Sequence, residues 1–292
     1  MRKALVIGIF AAVAVGIPAV AQQTQAAPAK SDKKARSFKS AAEQKAIQDI
    51  FAAPTPDARI AAVDDFIAKY ANSDFRGLAF YAAAQSSAQK NDYDKVIIYG
   101  NMALAADVDD TVRLETLTML AKTIGQRVRE HDMDREEKLG QVEKFSNTAL
   151  EMTKTMAKPN PQMPDDKWEA FKGQSAADAH EALGIAALVR KNFDQAITEF
   201  KTALEATKEP EPTAAVRLAQ AYNRAGKYDE AIAVCDKLMA DANLHPTLKQ
   251  FAQAERVRAI TAKSKTAAPA AGTAAPAPQS APAPTPAPAP KP

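Results

Sequence analysis

From residue 40 to residue 264, apolar side chains recur at steps of three and four, the spacing of one helical face, and the alternation of a half-buried strand is missing. Ile60, Val63, Phe66, Ile67 and Tyr70 form one stripe. Leu114, Leu117, Leu120 and Ile124 form a second, and Leu139, Val142, Phe145, Ala149, Met152 and Met156 a longer third. Start signals precede several stripes. Ser40 and Glu43 are placed as a capping box before AIQDIF, Thr55-Pro56 reads as an N-cap with proline at the first helical position, and Ser73 or Asp74 opens a helix carrying Phe75, Leu78 and Phe80. Short breaks separate the segments. The pattern predicts antiparallel helix pairs, each too small to fold alone, stacked into an all-α solenoid.

Three stretches repeat one design: QKNDYDKVIIYGNMAL from Gln89, RKNFDQAITEFKTAL from Arg190 and AGKYDEAIAVCDKLM from Ala225. The dipeptides Ala83-Ala84, Leu183-Gly184 and Leu218-Ala219 come first, the second member of each nine residues before an aromatic. Tyr93, Phe193 and Tyr228 follow, then Val96, Ala196 and Ala231, then Ala103, Ala203 and Leu238. Small residues sit where two helices must cross closely, and aromatics fill the space beside the turn.

Leu183, Gly184, Phe193, Ala196, Phe200, Ala203 and Pro210 resemble the tetratricopeptide repeat, a helix–turn–helix unit of about 34 residues. Tyr222, Gly226, Tyr228, Ala231 and the late Pro246 continue the likeness. The clearest repeats are 177–210 and 212–245, with a more degenerate one at 77–110, where Gly100 replaces the aromatic. The resemblance implies that the first helix of each pair lines a concave groove that binds a protein or peptide. The groove positions it implies are Leu78, Tyr81, Gln85 and Gln89, then Asp178, Glu181, Ile185 and Leu188, then Val216, Gln220, Asn223 and Arg224. The Lys and Asn with which some members clamp a terminal carboxylate are replaced by Tyr81, Glu181 and Val216 and by Gln85, Ile185 and Gln220, so that specificity is not implied.

The middle departs from the template. A charged turn, EHDMDREEK, joins the second and third stripes, and KPNPQMPDDKW then places Pro159, Pro161 and Pro164 before Trp168. Three prolines exclude a helix there, so the stack is expected to be interrupted or bent. Trp168, the single tryptophan, is expected to pack a short helix against the stack or to form a lip on the groove. After Pro246, Leu248, Phe251, Val257 and Ile260 share residues 246–264 with Lys249, Glu255, Arg256 and Arg258. That mixture suits a capping helix with a polar outer face.

Chemistry is not evident. His131, His180 and His245 have no His or Cys partner at metal-ligand spacing, one Cys cannot make a zinc site, and ten glycines form no phosphate-binding loop. Asp109-Asp110, Glu136-Glu137 and Asp165-Asp166 fall at turns or helix starts, where they favour the helix dipole. The expectation is a chain that is not an enzyme and carries no metal or cofactor. Cys235 falls on a core position and reads as an inert thiol.

The ends change the picture of location. Arg2 and Lys3 precede the apolar run Ala4–Ile17, and Ala19-Val20-Ala21 is a small-residue cleavage pattern, so 1–21 reads as a signal peptide cleaved after Ala21. A periplasmic or secreted location is expected. In the segment 22–39, Lys30, Lys33, Lys34, Arg36 and Lys39 oppose only Asp32. Lys263, Lys265 and Lys291 close the chain with no acid among them, and the body between is net acidic. That argues against nucleic acid and leaves weak envelope-surface contact to the basic flanks. Residues 265–292 are rich in Ala and Pro, a composition that does not bury enough apolar surface to fold. The leading expectation is an exported scaffold for protein–protein interaction in envelope assemblies. The alternative is an envelope tether or spacer in which the Ala/Pro tail is the working element.

Overall fold

The computed structural model describes residues 36–267. The expected signal peptide at 1–21, most of the basic segment at 22–39 and nearly all of the Ala/Pro-rich tail lie outside the described residues. The body begins at Ser37, and the described residues contain eleven helices and no strand. They are α1 (Ala41–Ala52), α2 (Pro56–Lys69), α3 (Arg76–Gln89), α4 (Tyr93–Ala105), α5 (Asp110–Arg127), α6 (Arg135–Thr155), α7 (Asp165–Val189), α8 (Phe193–Glu205), α9 (Pro212–Arg224), α10 (Tyr228–Ala240) and α11 (Pro246–Ala267).

Short polar side chains start many of these helices by accepting first-turn N–H groups that would otherwise lack partners. Ser40 accepts from Glu43 at 3.0 Å, Thr55 from Ala58 at 3.1 Å and Asp109 from Val112 at 2.9 Å. Glu43 completes its capping box one residue early, on the N–H of Lys39. The helix expected to open at Ser73 or Asp74 begins at Arg76 instead. Ser73 spends its hydroxyl on the N–H of Phe75, at 3.0 Å, inside the preceding turn.

The turn within each clear repeat is a Schellman motif written three times. Asp92, Asn192 and Lys227 each donate a backbone N–H, at 2.9 Å, to the carbonyls of Ser87, Ala187 and Tyr222. The residue just before each donor is left-handed: Asn91 at φ 58°, Lys191 at φ 63° and Gly226 at φ 74°. A side chain such as lysine is strained there, whereas glycine is not. Lys191→Gly is therefore expected to stabilise the body by about 1 kcal/mol, seen as a Tm rise of about 2–4 °C. Gly226→Ala should lower the Tm by a similar amount.

Each odd-numbered helix from α1 to α9 packs on the even-numbered helix that follows it and on the next odd-numbered one. Among the described residues, no two even-numbered helices approach backbone to backbone. The odd helices α1, α3, α5, α7, α9 and α11 thus form a close inner layer and the even helices a splayed outer one, which makes the inner layer the concave side.

Register between successive pairs is marked by charge. An acid in the first turn of each outer helix meets a base near the end of the next inner helix: Asp57 with Lys90, Asp94 with Arg127, Glu136 with Arg190, Asp194 with Lys227 and Asp229 with Lys263. Both members also complement their own helix dipoles. These exposed pairs add little stability, but they recur at every junction, including the one expected to break.

The stack is not interrupted at 159–164. The prolines confine a loop between α6 and α7, while Leu139 and Val142 of α6 share a buried cluster with Ala121 and Ile124 of α5 and Ala182 and Ala186 of α7. The irregularity lies in helix length. α6 has 21 residues and α7 has 25, against 13 in α8, α9 and α10. Trp168 therefore belongs to the N-terminal part of α7 and not to a separate short helix. It is buried, stacks on Phe171 at 5.4 Å between ring centroids, and carries the Lys172 ammonium 5.8 Å from its ring.

The last helix also departs from expectation. Ala252, Glu255 and Ala259 turn inward, leaving Phe251 at 56%, Val257 at 50% and Ile260 at 39% exposure. The outer face of α11 is therefore not the polar one that a cap calls for.

Candidate functional site

The groove positions expected from the sequence divide into two groups on the inner layer. Tyr81, Glu181, Ile185 and Asn223 are buried. Gln85, Leu188 and Gln220 are half-buried, while Gln89 and Arg224 are exposed.

The buried polar members join one inner helix to the next. Tyr81 of α3 donates its hydroxyl to the carboxylate of Glu115 on α5, and Gln85 donates its amide to the Tyr81 oxygen. Burial, then the Glu115 charge, pushes the Tyr81 phenol far above its ordinary value. Burial also raises Glu115, against the pull of the Tyr81 hydrogen bond. At the other end, Asn223 of α9 donates to the backbone and side-chain oxygens of Glu255 on α11 at 2.9 and 2.8 Å. Ile185 lies in the apolar cluster with Phe200 and Leu218, with Leu188 packed at its edge.

Glu181 belongs to a centre that sequence reasoning missed. Lys122 of α5 reaches Asp178 at 2.8 Å and Glu181 at 3.2 Å, both on α7, and Glu211 at 3.7 Å, next to α9. Arg217 of α9 approaches Glu181 at 3.4 Å from the other side, and Gln174 donates to Asp178 at 3.3 Å. Burial alone would lower Lys122, but the three carboxylates outweigh it and hold the ammonium well above the usual lysine value. Asp178 sits above the usual carboxylate range because burial outweighs Lys122. Asp178 lies 56 residues from Lys122 in the chain. The only local signal is that Lys122 sits between the core residues Leu120, Ala121 and Ile124.

The cleft beside this centre, lined by Gln174, Ala177, Asp178, Glu181, Ala203, Glu211 and Ala214, has a volume of about 10 Å³. That holds about one water molecule and falls far below the several hundred Å³ of a small-molecule site. Among the described residues, no cluster of three His, Cys, Asp or Glu side chains is placed to hold a metal, and no helix is long and apolar enough to cross a membrane. His180 joins α7 to α8 through Glu199 at 2.8 Å. Cys235 is buried, and burial pushes its thiol up to about 11, the state of an unreactive sulfur.

Away from this centre the inner layer offers an accessible surface. Gln85, Gln89, Leu188, Gln220 and Arg224 remain accessible to different degrees, with Asp178 at 23% and Glu211 at 54% side-chain exposure between them.

A family model described as "Tetratricopeptide repeat" matches residues 169–209 and 181–245. Among solved structures, a thermophilic TPR protein of Thermus thermophilus is similar at 19% identity, over 74% of this chain and 99% of that one, with a TM-score of 0.48. An assembly chaperone of RpL4 (Acl4) is similar at 11% identity, over 77% of this chain and 98% of that one, with a TM-score of 0.42. No curated protein matches the chain.

Proposed function

We propose, for a chain that belongs to the tetratricopeptide-repeat proteins through residues 169–245, that the inner helix layer binds segments of other proteins and serves as an exported scaffold in cell-envelope assemblies. One observation carries the binding reading. After Tyr81, Glu181 and Asn223 are consumed in joining helices, the same layer still presents Gln85 and Gln89 on α3, the apolar edge of Leu188 on α7, and Gln220 and Arg224 on α9. Such a mixed face suits an extended or helical segment of a partner. Export is supported by the order of positive start, apolar run and small-residue site in residues 1–21.

Two measurements test the two halves separately. In-cell cross-linking of the full chain should lose captured protein at least tenfold when Gln85→Arg and Arg224→Glu are combined, with helical content unchanged. An unaltered set of captured proteins would sink the groove. N-terminal sequencing of the mature chain should begin at Gln22, and a chain that keeps Met1 inside the cell would remove the export reading.

A further inference from the structure

The described residues expose seven large hydrophobic side chains, and three of them, Phe251, Val257 and Ile260, lie on α11. With the exposed Ala254 they stand three residues apart along one oblique ridge that winds about half a turn round the helix, so Ala254 and Val257 lie at the centre of the exposed face and Phe251 and Ile260 at its two margins. The surface beside it is formed by Met239, Gln250 and Gln253, with Lys249 as its charged member. Among the described residues, every other inner helix from α3 to α9 is covered by an inner neighbour on both sides, whereas α11 is covered only by α9 and α10. The open side of α11 thus continues an interface that the molecule has already built five times.

Charge distinguishes the occupants. Along α11, Lys249, Arg256, Arg258, Lys263 and Lys265 stand against a single acid, Glu255. Arg256, Arg258 and Lys263 are paired within the body, to Asp236, Glu255 and Asp229. Lys249 lines the ridge at one end of the helix and Lys265 stands at the other. In a second copy docked through the same face, an antiparallel crossing would bring these like charges together, which disfavours it.

We propose that the open face of α11 docks an amphipathic helix of another protein, one with an apolar seam flanked by acidic residues, which extends the stack by one helix. The face is separate from the inner groove, so this inference does not depend on what the groove binds.

The test uses the full chain and two labelled synthetic peptides, each an amphipathic helix with a leucine seam, one flanked by glutamates and the other by lysines. Fluorescence anisotropy should show the glutamate peptide binding at least tenfold more tightly at low salt. Val257→Glu, at a half-exposed position that the fold tolerates, should weaken it at least tenfold. Lys249→Glu with Lys265→Glu should weaken it at least fivefold, and Gln85→Arg in the groove should leave it unchanged. Equal affinity for the two peptides, or indifference to Val257→Glu, would overturn the proposal. Three other results would also overturn it by naming another occupant. They are a dimer in sedimentation that Val257→Glu dissolves, a tenfold gain in affinity on removing residues 268–292, and binding of anionic vesicles that Val257→Glu abolishes.

Discussion

Replacing Lys122 by methionine is expected to destabilise the body by about 3 kcal/mol, a fall in Tm of about 6–12 °C. The size follows from what the substitution leaves behind. Methionine fills much of the same volume, so packing is nearly kept. The Glu181 side chain, 4% exposed, retains only Arg217 at 3.4 Å, and Asp178 loses its 2.8 Å partner. Removing one partner of a buried ion pair costs more than the pair itself contributes, because the remaining charge stays desolvated.

The same change should make stability more dependent on pH. Asp178 already sits above the usual carboxylate range, and losing the ammonium raises it further. The folded variant then holds a proton that the unfolded chain releases, so its stability falls as pH rises through the interval between the unfolded and folded values. The deficit relative to the parent chain is therefore greatest near neutrality and shrinks toward about pH 4. Thermal unfolding of both chains from pH 8 to pH 4 measures this directly. A deficit constant across that range would show that the carboxylates do not sense Lys122. Adding Glu181→Gln to the variant should restore part of the loss.

Phe200→Ala should cost about 3–5 kcal/mol. Phe200 is 0% exposed and packs with Ile185, Ala196, Ile197, Leu218 and Ala221, where α7, α8 and α9 meet. Its ring also explains Gly184. A Cβ on Gly184 would lie 2.7–2.9 Å from three Phe200 ring carbons, so Gly184→Ala alone overpacks a rigid ring, at about 1–3 kcal/mol. Against that stands about 1 kcal/mol of gained helix propensity. In the Phe200→Ala background the obstruction is gone, and Gly184→Ala should then stabilise. Denaturant unfolding of the four chains, with unchanged m-values, would measure the coupling. Simple additivity would mean that the two residues do not share the space.

The coupling between Gly184 and Phe200 is also why the repeats are legible in the sequence. Close crossings demand particular residue types at fixed intervals, and 177–245 carries them. The equivalents of Phe200 are Gly100 and Cys235, and a Cβ at Gly100 would lie 2.7 Å from Leu120 of α5. A neighbouring helix thus supplies the bulk that unit 77–110 lacks, and no local pattern reveals it. The length of α7 is hidden because Asp165 to Gly173 follows the prolines and precedes the template, with nothing to show that one helix runs through both. The open face of α11 escapes the sequence for a related reason. Phe251, Val257 and Ile260 have helical spacing, yet the small Ala252 and Ala259 do the burying. Nor does the alignment of repeats reveal which groove positions are exposed. Tyr81 and Asn223 look like surface polar residues until Glu115 and Glu255, a full repeat away, are placed beside them.

The length of α7 has an energetic consequence. In an array of equal units, each touching only its neighbours, the ends can melt while the middle holds, and stability is a sum of local terms. A single 25-residue helix that packs on α5, α6, α8 and α9 ties the repeats on its two sides to the same backbone hydrogen bonds. The centre of the array cannot open one unit at a time. Amide exchange should therefore be slowest and most uniform across α5 to α8, rising toward α1 and α11, so that the two ends of the molecule breathe independently of a cooperative middle.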